Sequence, residues 1–293
     1  MSYPLSGRFA GGMVLALALA MAGATVHAQA LWQTLPPTPD LPKDTVGKYT
    51  TAIDGARIWF AQWGTEAHGV PVLLLHGGEG NSNYFGNLIP ILVRHGYRVI
   101  AIDSRGHGRS TRTDAPITYH LMAEDVVQVL DSLKIPRVSL VGWSDGGCIG
   151  FDLAINRHQR LARLFAFGAD TDVSGLKDDG ANTPVFRAYL ARVRDEYRRL
   201  SPTPDQWENF DAAINKMWYS LPAYSADQLR SIPLPTTVAD GQYDEAIRPD
   251  HVKYIAATIP HARLVIIPGV SHFAMLQNPK AFGTAVLDFL HRD

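Results

Sequence analysis

The segment Val138 to Gly150 reads VSLVGWSDGGCIG and sets a serine between glycines, where a hydrophobic run ends and a helical pattern begins. A serine hydroxyl is a weak nucleophile at neutral pH and attacks a carbonyl only when a neighbouring base takes its proton. On a sharp turn from strand to helix, Ser144 would lift its oxygen above the edge of a sheet. Gly142 and Gly146, two residues to either side, would leave room for that turn. The N–H of Asp145, at the start of the helix, is then a donor for the negative oxygen of a tetrahedral intermediate. A second donor is expected in the loop HGGEGN, His76 to Asn81, where Gly78 lets the backbone come close to a substrate.

The base and the acid that orients it should follow the last strands. VADGQYDEAIRP places Asp244 after one of them, and IIPGVSHFAML places His272 after the next. This gives the order Ser144, Asp244, His272. Asp240 is a rival for the acid but lies nearer the strand end, and Asp170 or Asp172 would serve if the acid followed the preceding strand. His76, Asp103 and Arg105 read as loop-stabilising groups, Trp143 as core, and Glu79 as a solvated loop carboxylate, with a pocket-facing residue that selects substrate as its alternative. Tyr189, Trp207, Phe210, Trp218 and Tyr219 read as packing residues, with a place in the lining of an acyl pocket as the alternative, and RVRDEYRRL as a solvated helix face.

These residues need a scaffold. YTTAIDG and ARIWFAQWG read as a hairpin about Asp54-Gly55. VPVLLLHG is a continuous apolar run suited to a strand buried on both faces, and YRVIAIDS, RVSLVGWS, LARLFAFGAD, LPTTVADG and ARLVIIPGV also read as strands. Helical patterns separate most of them, so the expectation is a parallel sheet with right-handed crossovers and helices on both faces. Between about residues 172 and 232 the alternation stops, and PVFRAYLARVRDEYRRL and PDQWENFDAAINKMWYSL read as helices inserted over the strand ends.

Composition limits the partners. The 293 residues carry a formal charge of −1, with 46% hydrophobic residues. A large core is affordable, and neither nucleic acid nor an anionic membrane is an expected partner; a small or neutral molecule is. Arg8, the apolar GGMVLALALAMAGAT and then VHAQA form a signal-peptide pattern with expected cleavage after Ala28, leaving residues 29–293 without a stable membrane anchor. This implies a periplasmic or secreted protein. Cys148 is the single cysteine, so no intramolecular disulfide forms, and it reads as a small buried residue. There is no metal-ligand spacing of His or Cys and no dinucleotide glycine fingerprint, so neither metal nor organic cofactor is called for.

The elbow GWSDG, the HGG loop, DSRGHGRS after the next strand, and the ordered Asp244 and His272 together resemble the α/β-hydrolase superfamily over essentially all of residues 29–293. The resemblance implies an eight-stranded, mostly parallel sheet flanked by helices, with residues 172–232 as a helical lid. It also implies Gly78 and Asp145 as oxyanion donors, Gly241-Gln242-Tyr243-Asp244 as the acid motif, and a serine hydrolase acting on a small carboxylic ester or lactone. Dehalogenases and epoxide hydrolases carry Asp at the elbow, unlike Ser144. Proline iminopeptidases continue HGG with Pro where Glu79 stands, which argues against peptide cleavage. Carbon–carbon bond hydrolases, thioesterases, perhydrolases and ligand receptors of this fold share the same triad and stay open as alternatives.

Overall fold

The computed structural model describes Met1 and residues 29–291. The signal-peptide expectation falls on residues outside that range.

Eight strands form one sheet in the order β1-β2-β4-β3-β5-β6-β7-β8. The first two, β1 (Lys48–Thr51) and β2 (Arg57–Trp63), make the expected antiparallel hairpin about Asp54-Gly55, and β2 continues antiparallel onto β4 (Val99–Ile102). From β4 onward, β3 (Val72–Leu75), β5 (Val138–Trp143), β6 (Leu161–Phe167), β7 (Thr236–Gly241) and β8 (Arg263–Ile267) are parallel. Every residue of β3, β4, β5 and β7 is buried, and β3 and β4 accordingly read as unbroken apolar runs. Exposed residues concentrate in the edge strands β1 and β8.

Helices α1 (Leu88–Arg94) and α9 (Pro279–Leu290) pack together; α2 (Tyr119–Ser132) and α3 (Asp145–Asn156) form a second layer with α7 (Pro249–Thr258). Local sequence sets several starts. The Thr118 side chain caps α2 by accepting from the Leu121 N–H at 3.0 Å, and Asn278 caps α9 ahead of Pro279.

Between Phe167 and Thr236 no strand forms. The segment carries α4 (Pro184–Leu200), α5 (Trp207–Trp218) and the short α6 (Ala226–Arg230). Helix α6 was not legible as a periodic pattern, yet Ser225 and Gln228 form a reciprocal capping box at its start. The Arg-rich face of α4 is not wholly solvated: Glu196 is buried and accepts from Asn81 Nδ2 at 2.9 Å, tying the helix to the loop after β3. No helix among the described residues is long and apolar enough to cross a membrane.

Candidate active site

Ser144 sits where β5 turns into α3, with φ 53° and ψ −120°. A non-glycine residue in this region is strained and persists only where its surroundings hold it. The flanking glycines explain how. A side chain at Gly142 would run into the Gly146 carbonyl, and one at Gly146 into the Leu75 carbonyl. Strand β3 thus presses directly on the turn, and its following loop lies against the serine: a Cβ on Gly77 would come within 3.1 Å of Ser144 Cβ.

His272 follows β8, is buried, and donates through Nδ1 to Asp244 Oδ2 at 2.7 Å. The other Asp244 oxygen accepts from the backbone N–H groups of Ala246 (2.7 Å) and Ile247 (2.8 Å), which fixes the carboxylate plane. Burial works against ionisation of Asp244, but the His272 charge and hydrogen bond outweigh it and hold the carboxyl below its usual range. Burial likewise opposes the charged imidazole, yet Asp244, Glu245 and Asp145 raise His272 above its ordinary value. Asp240 is the neighbour of Asp244 rather than of His272. Burial first, then the Asp244 charge, push it well up, so it keeps its proton. Asp170 contacts the Cys148 thiol instead, and Asp172 caps a turn at Ser174.

Three supporting residues were not read from the sequence. Glu245 Oε2 accepts the His272 N–H at 3.1 Å and its Oε1 accepts the Ser271 hydroxyl at 3.2 Å. Gln277 bonds Ser271 from both ends of its amide and reaches the Thr34 carbonyl at 2.9 Å, so the N-terminal run braces the histidine loop. Gly168, at φ +60°, is the third: a Cβ there would stand 2.9 Å from His272 Nδ1.

The Gly78 and Asp145 N–H groups have no acceptor among the described residues. Gly78 is roofed closely, because a Cβ on it would clash with the Trp218 indole and lie 2.6 Å from Asp145 Oδ2. Trp218, at the end of α5, donates its indole N–H to Asp145 Oδ1 at 2.9 Å, and the Tyr119 hydroxyl donates to the same oxygen at 3.1 Å. Burial raises the Asp145 carboxyl to about 6 in spite of these donors.

The reading of Glu79 as a solvated carboxylate is overturned. It is 3% exposed, has φ 59°, and neither carboxyl oxygen meets an N–H or hydroxyl donor, its side-chain hydrogen bond being to the Asp211 carboxyl. Its solvent is displaced by the helical segment, a contact distant in sequence. Burial, followed by the neighbouring Asp211 and Asp145 carboxyls, raises it to about 9. The other loop readings hold: His76 Nε2 accepts from the Ser104 N–H at 3.0 Å, Asp103 accepts from the Ser82 N–H at 2.8 Å, and Arg105 pairs with Asp125 and Asp54. Trp143 is core, and Cys148 is buried.

Ser144, Asp145, His272 and Glu79 all line one cavity of about 720 Å³, to which the helical segment also contributes residues. Of the aromatics read as packing, Tyr189 and Phe210 are buried away from its lining, whereas Trp207, Trp218 and Tyr219 line it, the last 80% exposed.

A model of the alpha/beta hydrolase fold matches residues 70–200. The non-heme chloroperoxidase CPO-A1 of Kitasatospora aureofaciens is 30% identical over 279 residues, covering 83% of this chain and 98% of that protein. The chain belongs to the α/β-hydrolase family. This α/β-hydrolase is also 27% identical to a 2-hydroxy-6-oxo-6-(2'-aminophenyl)hexa-2,4-dienoic acid hydrolase of Metapseudomonas resinovorans, over 76% of this chain and 85% of that one. Among solved structures it resembles Est816, an N-acyl homoserine lactone degrading enzyme, with 25% identity and a TM-score of 0.64 over 83% of this chain and 100% of that one.

Proposed function

We propose that this α/β-hydrolase is a serine hydrolase that cleaves a small carboxylic ester or lactone through an acyl-enzyme on Ser144. The observation that carries the reading is the His272 Nδ1–Asp244 bond of 2.7 Å, in a cavity shared with a serine on a strained elbow. With Nδ1 committed to Asp244, His272 Nε2 carries the free lone pair and accepts the Ser144 proton as Oγ bonds to the substrate carbonyl carbon. The resulting oxyanion is held by the Gly78 and Asp145 N–H groups. Collapse breaks the carbonyl carbon–oxygen bond to the alcohol, which leaves with the proton from His272. Water then attacks the acyl-enzyme, gives its proton to His272, and releases the acid as Ser144 regains that proton. A lactone follows the same path and yields a single hydroxy acid.

The helical segment of residues 172–232 acts as the lid that sets which acyl and alcohol groups fit. The apolar N-terminal pattern supports export and cleavage after Ala28, so the mature enzyme works in the periplasm or outside the cell on a small molecule, without metal or organic cofactor.

The test is hydrolysis of p-nitrophenyl butyrate by residues 29–293 beside Ser144→Ala, with fluorophosphonate labelling followed by peptide mapping. Turnover and labelling at Ser144, both lost in the variant, are expected. Turnover that survives in Ser144→Ala refutes the acyl-enzyme.

A further inference from the structure

The cavity over Ser144 is lined by five carboxyl residues, Glu79, Asp145, Asp170, Asp178 and Asp211, against Lys177 and Arg194. Both cations are engaged elsewhere. Lys177 Nζ donates to the Asp244 carbonyl, and Arg194 pairs with Glu208 at 2.9 Å on the surface. Neither therefore neutralises the acids nearest the elbow.

Those acids are unusual in their partners. No N–H or hydroxyl donor reaches either Glu79 oxygen or Asp170 Oδ2, Glu79 is 3% and Asp170 5% exposed, and the one side-chain hydrogen bond of Glu79 is to the Asp211 carboxyl. Asp145, the residue after the serine, acts on both: its charge raises Glu79 and Asp170 alike. Asp211 of α5 adds a fourth carboxyl beside Glu79. A buried polar atom normally has a partner, because losing water without replacing its bonds is costly. Several such atoms lining one cavity mark a site whose complement is supplied from outside. An ion or group with several N–H donors and a positive charge meets that need, and a second anion would worsen it.

We propose that this acidic arc binds a protonated amine carried by the substrate near its scissile carbonyl, with Glu79 and Asp211 as the pairing groups. The proposal rests on the serine hydrolase reading and narrows its substrates to amine-bearing esters and lactones. Position argues for closeness to the carbonyl. Glu79 directly follows Gly78 and Asp145 directly follows Ser144, so the arc borders the atoms that would hold the reacting group. Burial and the adjacent acids favour the protonated form of Glu79 in the free enzyme. An arriving ammonium reverses that preference, so binding releases a proton and leaves an ion pair. Trp207 and Trp218, which also line the cavity, offer indole faces to the remainder of the cation.

Two pairs of near-isosteric esters test this at neutral pH. Propyl L-alaninate is set against propyl isobutyrate, and 2-(dimethylamino)ethyl butyrate against 3-methylbutyl butyrate, so the amine lies on the acyl side in one pair and on the alcohol side in the other. In the wild type, kcat/KM for the cationic member of at least one pair is expected to exceed that of its neutral partner by roughly tenfold or more. Glu79→Gln and Asp211→Asn should each bring that ratio toward one. The ratio is internal to each protein, so a general loss of activity does not mimic the result. If no ester turns over, the same ratios are read from protection of Ser144 against the fluorophosphonate probe. Ratios at or below one in both pairs, with Ser144 labelled, overturn the amine site and leave the hydrolase reading standing. A wild-type preference that survives intact in both variants overturns the assignment to Glu79 and Asp211. Failure of Ser144 to label refutes the hydrolase reading itself and this proposal with it.

Discussion

Replacing Asp244 by Asn tests the geometry of the candidate triad most directly, because the backbone dictates how the new side chain must sit. One carboxylate oxygen accepts two N–H groups, from Ala246 at 2.7 Å and Ile247 at 2.8 Å, while the other accepts His272 Nδ1–H at 2.7 Å. An asparagine can satisfy the two backbone donors only by placing its carbonyl oxygen there. Its NH2 then faces Nδ1, and two donors cannot bond to each other. His272 resolves the conflict by moving its proton to Nε2, leaving Nδ1 to accept. In that tautomer Nε2 cannot take the Ser144 proton. The expected loss in kcat is about 10⁴-fold, equivalent to roughly 5.4 kcal/mol at the transition state. The variant should still fold, since it keeps both backbone bonds and its volume.

The assay is the steady-state rate on p-nitrophenyl butyrate as a function of pH, with circular dichroism as the control for folding. In the wild type the rate should rise with pH through a pKa above the usual imidazole value. His272 is active only when neutral, and Asp244 favours its protonated form. With Asn the residual activity should titrate at a lower pH, because the negative charge that raised His272 is gone. A loss below about tenfold, or an unmoved inflection, would refute the reasoning and point to another acid on the histidine. Asp240→Asn provides the contrast, with a far smaller loss, since Asp240 reaches His272 only through Asp244.

Two further outcomes follow from other close contacts. Glu79 is a carboxyl whose folded pKa, about 9, lies above its unfolded value of 4.5, so its contribution to stability is complete below the latter and is lost as pH rises toward the former. Glu79→Gln should therefore melt near the wild-type temperature at about pH 5 and be more stable than wild type at about pH 8.5, by an amount on the order of 1 kcal/mol or more; parallel melting curves across that range would contradict it. In Gly78→Ala the new methyl group must displace the Trp218 indole, loosening its 2.9 Å bond to Asp145, so kcat/KM should fall at least about tenfold while the melting temperature drops by only a few degrees; full activity would refute the close roof over the candidate oxyanion site.

The contrast between Ser144 and Glu79 shows which parts of such a site a sequence displays. The elbow is readable because its constraint is local: Gly142 and Gly146 are required by carbonyls of the turn and of β3, and the strand and helix on either side have their own hydrophobic periods. The strands from β3 to β8 were readable for a related reason, as most are short apolar runs between turn residues. Asp244 and Asp240 could be ranked only by distance from the strand end, and what separates them is a backbone clamp at Ala246 and Ile247 that no spacing reveals. Glu79 was misread because HGGEGN has the composition of a surface loop, and its burial depends on helices that come more than a hundred residues later. Glu196 was misread in the same way, since its partner Asn81 lies in that loop, not on its own helix. The residues proposed to perform acyl chemistry sit at strand ends, where the fold repeats a pattern. Those that would choose the substrate take their environment from the helical segment, so their protonation, partners and exposure are properties of the assembled cavity. The acid at position 79 is therefore informative in a way its letter is not. A surface loop could carry glutamate at no cost, whereas this one is held buried beside Ser144 with no N–H or hydroxyl donor and only the Asp211 carboxyl to share its proton, and that cost is what favours the cationic partner proposed above.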